Sequence, residues 1–135
     1  MSKYVDRARE LRALTEVRYN CAQAVLVPFA EEIGLDPETA FRVSANFGGG
    51  MKMGSVCGAV TGALMALGLA GLDSPDLLQE IYSRVRENHE GKLDCRDLLR
   101  INAQKGLPKR PHCDQMIFEL IGITEELLVR CGKLQ

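Results

Sequence analysis

The stretch FGGGMKMGSVCGAVTGALMALGLAGL, residues 47–72, constrains this chain more than any other segment. After Lys52 it carries no charged side chain until Asp73, so its second part has to be buried. Gly58, Gly62 and Ala66 recur every four positions, which on a helix is one side. That stripe of small residues predicts close approach by another helix. Residues 53–72 could span a bilayer by length alone. Their five Gly, one Ser and one Thr, with short flanks, predict instead a buried helix from about Ser55 to Leu69, closing at Gly71.

Helical signals surround this segment, and strand alternation is almost absent. Val5, Ala8, Leu11 and Leu14 predict a helix over residues 2–17. A second follows Asn20 with Ala22, Val25, Leu26 and Phe29 on its face, Pro28 as a kink point and Gly34 as its stop. Asp36-Pro37-Glu38 combines an N-cap acceptor, a proline at the first helical position and an acid in the first turn. That helix should reach Asn46 and stop at the triple glycine. Ser74-Pro75-Asp76 repeats the signal ahead of Leu77, Leu78, Ile81, Tyr82 and Val85. Asp94 caps a short helix ending at Lys105-Gly106. The last begins near His112 and shows Met116, Ile117, Leu120, Ile121, Leu127 and Leu128, with Gly122 bending it or splitting it at Thr124. The expected fold is all-α, a single domain over residues 1–135 built as a bundle of six or seven helices.

A chain of 135 residues can bury a real core. Its formal net charge of −1 gives no field to attract nucleic acid, and with no Trp and 5% aromatics it lacks stacking platforms for single strands. The start, MSKYVDRARELRAL, has no apolar signal core, so a cytoplasmic protein without a membrane span is expected. A redox partner is unidentified, and the oligomeric state, a homo-oligomer included, stays open.

Five cysteines are the compositional anomaly. None forms CxxC or CxxCH, so thioredoxin-like, zinc-ribbon and c-type haem signatures are absent. Buried inert thiols are the plain alternative. Cys21, Cys57, Cys95 and Cys113 all fall at expected helix N-termini, where unpaired N–H groups and the helix dipole favour a thiolate. Such positions lower a cysteine pKa from about 8.5 to about 3.5–7.5. Cys57 is expected to be the most acidic and reactive, having the glycine loop before it and Gly58 beside it. Cys131, at the far end of the last helix, is structural or incidental.

Gly48, Gly49, Gly50 and Gly54 can present backbone N–H groups to an anion or cluster, and Gly58 and Gly62 can admit a flat ligand. For the same glycines, turn formation and tight helix packing compete with a cofactor role. Met51 and Met53 are expected to plug into the core. His89 suits a helix end, His112 could tune or assist Cys113, and Lys109-Arg110 reads as a solvated face.

Cys21, then Cys57-Gly58-Ala59-Val60-Thr61-Gly62, then Cys95 and Cys113 resemble the redox-active family named for its C_GCAxxG_C_C pattern. The lead-in GGGMKMGSVCGA is also similar. The likeness extends from about Arg18 to Cys131, with Cys131 outside the motif. It implies a small bacterial or archaeal protein, often encoded near transporter genes, whose redox activity is assigned by its cysteines rather than by a defined reaction. A related domain occurs in some multihaem cytochromes, but without CxxCH no covalent haem is implied here.

Two chemistries follow if Cys21, Cys57, Cys95 and Cys113 converge. They could bind a soft metal ion or an iron–sulfur cluster through thiolates, or cycle between dithiol and disulfide as an oxidoreductase or electron carrier. The alternative from another class is a non-catalytic helical module that holds a small apolar ligand or a partner helix, its thiols inert.

Overall fold

Seven of the twelve residues of the helix Gly58–Leu69 are buried, and the other elements close around it. The computed structural model describes residues 2–135 and contains, over those residues, seven α-helices and no strand. They are α1 (Lys3–Ala13), α2 (Cys21–Ile33), α3 (Pro37–Val43), α4 (Gly58–Leu69), α5 (Pro75–Asn88), α6 (Cys95–Gln104) and α7 (Lys109–Arg130). A 3₁₀ turn, Ala45–Phe47, follows α3. The all-α expectation is met.

The closest packing is between α2 and α4. A Cβ placed on Gly62 would stand 2.7 Å from the Ala22 carbonyl oxygen, and one on Gly58 would stand 2.8 Å from that of Phe47. Only a hydrogen fits at either position. In α2, every residue from Ala22 to Ala30 is buried, and the helix runs unbroken through Pro28. α7 packs on α1, α2, α4 and α6, burying Met116, Ile117, Leu120, Ile121, Leu127 and Leu128. No helix among the described residues is long and apolar enough to cross a membrane.

Several boundaries differ from expectation for local reasons. α1 ends at Ala13 rather than residue 17: Leu14 is extended at ψ 136°, and the Arg12 guanidinium donates to the Tyr19 carbonyl of the segment that follows at 2.8 Å. α4 starts three residues late because Val56 pairs with Asp94 in an isolated antiparallel bridge. α7 starts at Lys109, with Pro111 inside its first turn, where a missing N–H leaves no bond unmade. It also continues past Gly122; Thr124 donates its hydroxyl to the Leu120 carbonyl at 2.6 Å instead of opening a new helix.

The glycine run holds the least expected backbone. Gly49, Gly50, Met51 and Lys52 all have φ between 58° and 63°, giving one turn of left-handed helix. The Ser55 N–H closes it on the Gly50 carbonyl at 2.9 Å. Met51 and Met53 are 42% and 68% exposed, so neither plugs the core. A non-glycine residue in this region costs roughly 1–2 kcal/mol. Glycine at the same place relieves that, against roughly 0.5–1 kcal/mol of added unfolded-state freedom. Lys52→Gly is therefore expected to stabilise the protein by about 0.5–1 kcal/mol. Urea denaturation checks it, and a loss of stability would mean that the Lys52 side chain holds the turn.

Candidate functional site

Local hydrogen bonds fix three of the four cysteines expected at helix starts, Cys21, Cys57 and Cys95. Cys21 opens α2 behind a capping box, in which Asn20 accepts from the Gln23 N–H at 2.9 Å and Gln23 accepts from the Asn20 N–H at 2.8 Å. Cys57 is the N-cap of α4 and Cys95 the first residue of α6. These two are tied by the short bridge: the Cys57 N–H donates to the Leu93 carbonyl at 2.9 Å, and the Cys95 N–H to the Ser55 carbonyl at 2.6 Å. A single bridge is too short to leave alternation in the sequence. Cys113 lies in the second turn of α7, not at its head.

All four line one cavity of about 540 Å³, together with Arg12, Lys109 and His112. Cys131 caps the far end of α7 and is not part of it. All five cysteines are free thiols. Of the six glycines singled out in the sequence, Gly49 and Gly58 line the cavity. Gly48 backs onto Asn20, where a Cβ would come within 2.5 Å of the Asn20 Cβ; Gly50 folds against Ser55; Gly54 faces Arg96; Gly62 is taken up by α2.

The electrostatics reverse the expected order of acidity. Burial pushes Cys57 up to about 11, although the Ala59 and Val60 N–H groups lie within hydrogen-bonding reach of its sulfur. Burial also raises Cys95. Cys113 is instead lowered to about 7, first by a hydrogen bond from the Cys21 thiol, against burial, and then by the Arg12 and Lys109 charges. The same bond, with burial, drives Cys21 upward. The pair favours the thiolate on Cys113 over one on Cys21. Helix N-termini alone did not decide this, because a sulfur buried under packed helices loses more from desolvation than the dipole returns.

Arg12 is the member that sequence reasoning missed. Its Nε donates to Asp114 Oδ1 at 2.6 Å, and its side chain is 13% exposed. Lys109 and Arg110, expected on a solvated face, are exposed but stand at the cavity wall. His112 is lowered, mainly by burial. His89 caps α5 and meets Glu119 at 2.7 Å.

Among the described residues, no three His, Cys, Asp or Glu side chains come together in a way that could hold a metal ion. The four cysteines share a cavity without forming such a group as arranged. A model of the family described as "Putative redox-active protein (C_GCAxxG_C_C)" matches residues 19–127, most of the chain. The chain belongs to that family. Cys21, Cys57, Cys95 and Cys113 all fall within the C_GCAxxG_C_C match, and Cys131 falls outside it. Neither a curated protein nor a solved structure matches the chain.

Proposed function

We propose that this protein is a thiol–disulfide redox protein in which Cys113 attacks and Cys21 resolves. The observation that carries the reading is the shared cavity that brings Cys21 and Cys113 together beside Arg12 and Lys109, surroundings that favour acidity on Cys113. A pKa near the ambient pH is the optimum for an attacking thiol. Cys113 Sγ attacks one sulfur of a disulfide, whose S–S bond breaks and whose other half leaves as a thiolate and is protonated by solvent. Cys21 then loses its proton and attacks Cys113 Sγ, releasing the second half as a thiol. Two electrons pass from the protein pair to the substrate, and the protein is left as the Cys21–Cys113 disulfide.

Mild oxidation with diamide, followed by alkylation and peptide mapping, tests this. The expected product has lost two hydrogen atoms, and Cys21 and Cys113 are joined in one disulfide. Cys57 and Cys95 remain open to alkylation once the chain is unfolded. A protein whose oxidised form pairs Cys113 elsewhere, or forms no internal disulfide, overturns the reading. Inert thiols throughout would favour the helical binding module.

A further inference from the structure

A second recess of about 930 Å³ adjoins the thiol cavity, the two sharing Arg12, Arg18, Asn20 and Arg110. Lys109 lines the cavity and Lys52 the outer recess, while no Asp or Glu lines either. Arg12 is neutralised by Asp114. Arg18, Lys52, Lys109 and Arg110 make no ion pair among the described residues, so no carboxylate cancels their charge at the recess. The lining of the two recesses thus carries five cationic side chains, four of them without an ion pair, and no carboxylate to offset them.

The outer recess is also large enough for an organic body. Tyr19 and Phe41, with ring centroids 4.7 Å apart at 65°, give it an aromatic wall. A bare oxyanion would leave that wall unused. We infer that the substrate of this protein is a low-molecular-mass organic disulfide bearing carboxylate or phosphate groups, its S–S bond at Cys113 and its anionic groups against Arg18, Lys109 and Arg110. This rests on the thiol–disulfide reading and follows the same two displacements. The charges act by concentrating and orienting an anion beside the thiolate.

The test uses the reduced full chain and three disulfide probes of different charge: dianionic dithiobis(nitrobenzoate), neutral dithiodipyridine and dicationic cystamine. Rates at Cys113 are normalised to each probe's rate with a free cysteine peptide. At low ionic strength the anionic probe is expected to exceed the cationic one by about tenfold or more. That ratio should shrink with added salt and move toward one in Arg18→Gln/Arg110→Gln. Taking the ratio cancels any change in Cys113 itself, and the single variant Arg18→Gln serves if the double variant does not fold. Equal normalised rates for all three probes, with the neutral probe reacting readily, overturn this inference and leave the thiol–disulfide reading standing. A Cys113 inert to the neutral probe overturns both.

Discussion

In Cys21→Ala, alkylation of Cys113 at pH 6 should slow by about tenfold for each unit by which its pKa rises. In the native chain that pKa is lowered to about 7, and the hydrogen bond from Cys21 is its largest cause. The thiolate that reacts is present above pH 7 and lost below it. Alanine removes the donor, so Cys113 moves toward the ordinary cysteine range and its rate profile shifts to higher pH. Cys21→Ser keeps an O–H donor and should shift much less. Well above the new pKa the order reverses, because a more basic thiolate is the better nucleophile. Peptide-resolved alkylation across pH checks all three statements. If the alanine and serine variants give the same profile, the Cys21 bond does not set the acidity. Cys113→Ser should abolish internal disulfide formation altogether.

Gly62→Ala should destabilise the protein by about 1–3 kcal/mol, and Gly122→Ala should stabilise it by about 0.5–1 kcal/mol. Both glycines lie inside helices, where alanine is ordinarily the better residue. The difference is what each methyl group meets. At Gly62 it stands 2.7 Å from the Ala22 carbonyl oxygen, so α2 and α4 must separate; at Gly122 nothing lies within 4 Å. In thermal unfolding these are a fall of roughly 3–15 °C and a rise of roughly 2–5 °C. The same sign for both would mean that close approach of α2 and α4 is not what Gly62 provides. Gly58 belongs with Gly62, since its Cβ would meet the Phe47 carbonyl oxygen, so substituting it should injure the fold and not the cavity alone.

What the sequence made legible was whatever is encoded locally. Asp36 and Ser74 do cap their helices, accepting from the Thr39 and Leu77 N–H groups at 3.0 and 3.3 Å. Cys21, Cys57 and Cys95 do lie at helix starts, whereas Cys113 lies one turn into α7. Arg12 was not legible, because its partner Asp114 is 102 residues away and only the fold brings them together. The acidity of Cys57 was misjudged for the same reason. Its N–H neighbours are visible in the order of residues, while the helices that bury it to 5% exposure are not. The left-handed turn was half legible: glycines announce such a backbone at 49 and 50, but nothing in Met51 or Lys52 does.

That turn also has a consequence in stereochemistry. At φ of 60° and 58°, Met51 and Lys52 hold the backbone geometry natural to D-amino acids. A chemically synthesised chain with D-Met at 51 and D-Lys at 52 would keep the same side-chain groups, each leaving the backbone from the position that Hα now holds. It would do so without the steric penalty that L residues carry there. Glycine substitution removes strain and side chain together, whereas inverting one stereocentre at a time separates the two. The four-residue segment that begins at the cavity wall with Gly49 is thus a place where a mirror-image residue fits better than the encoded one.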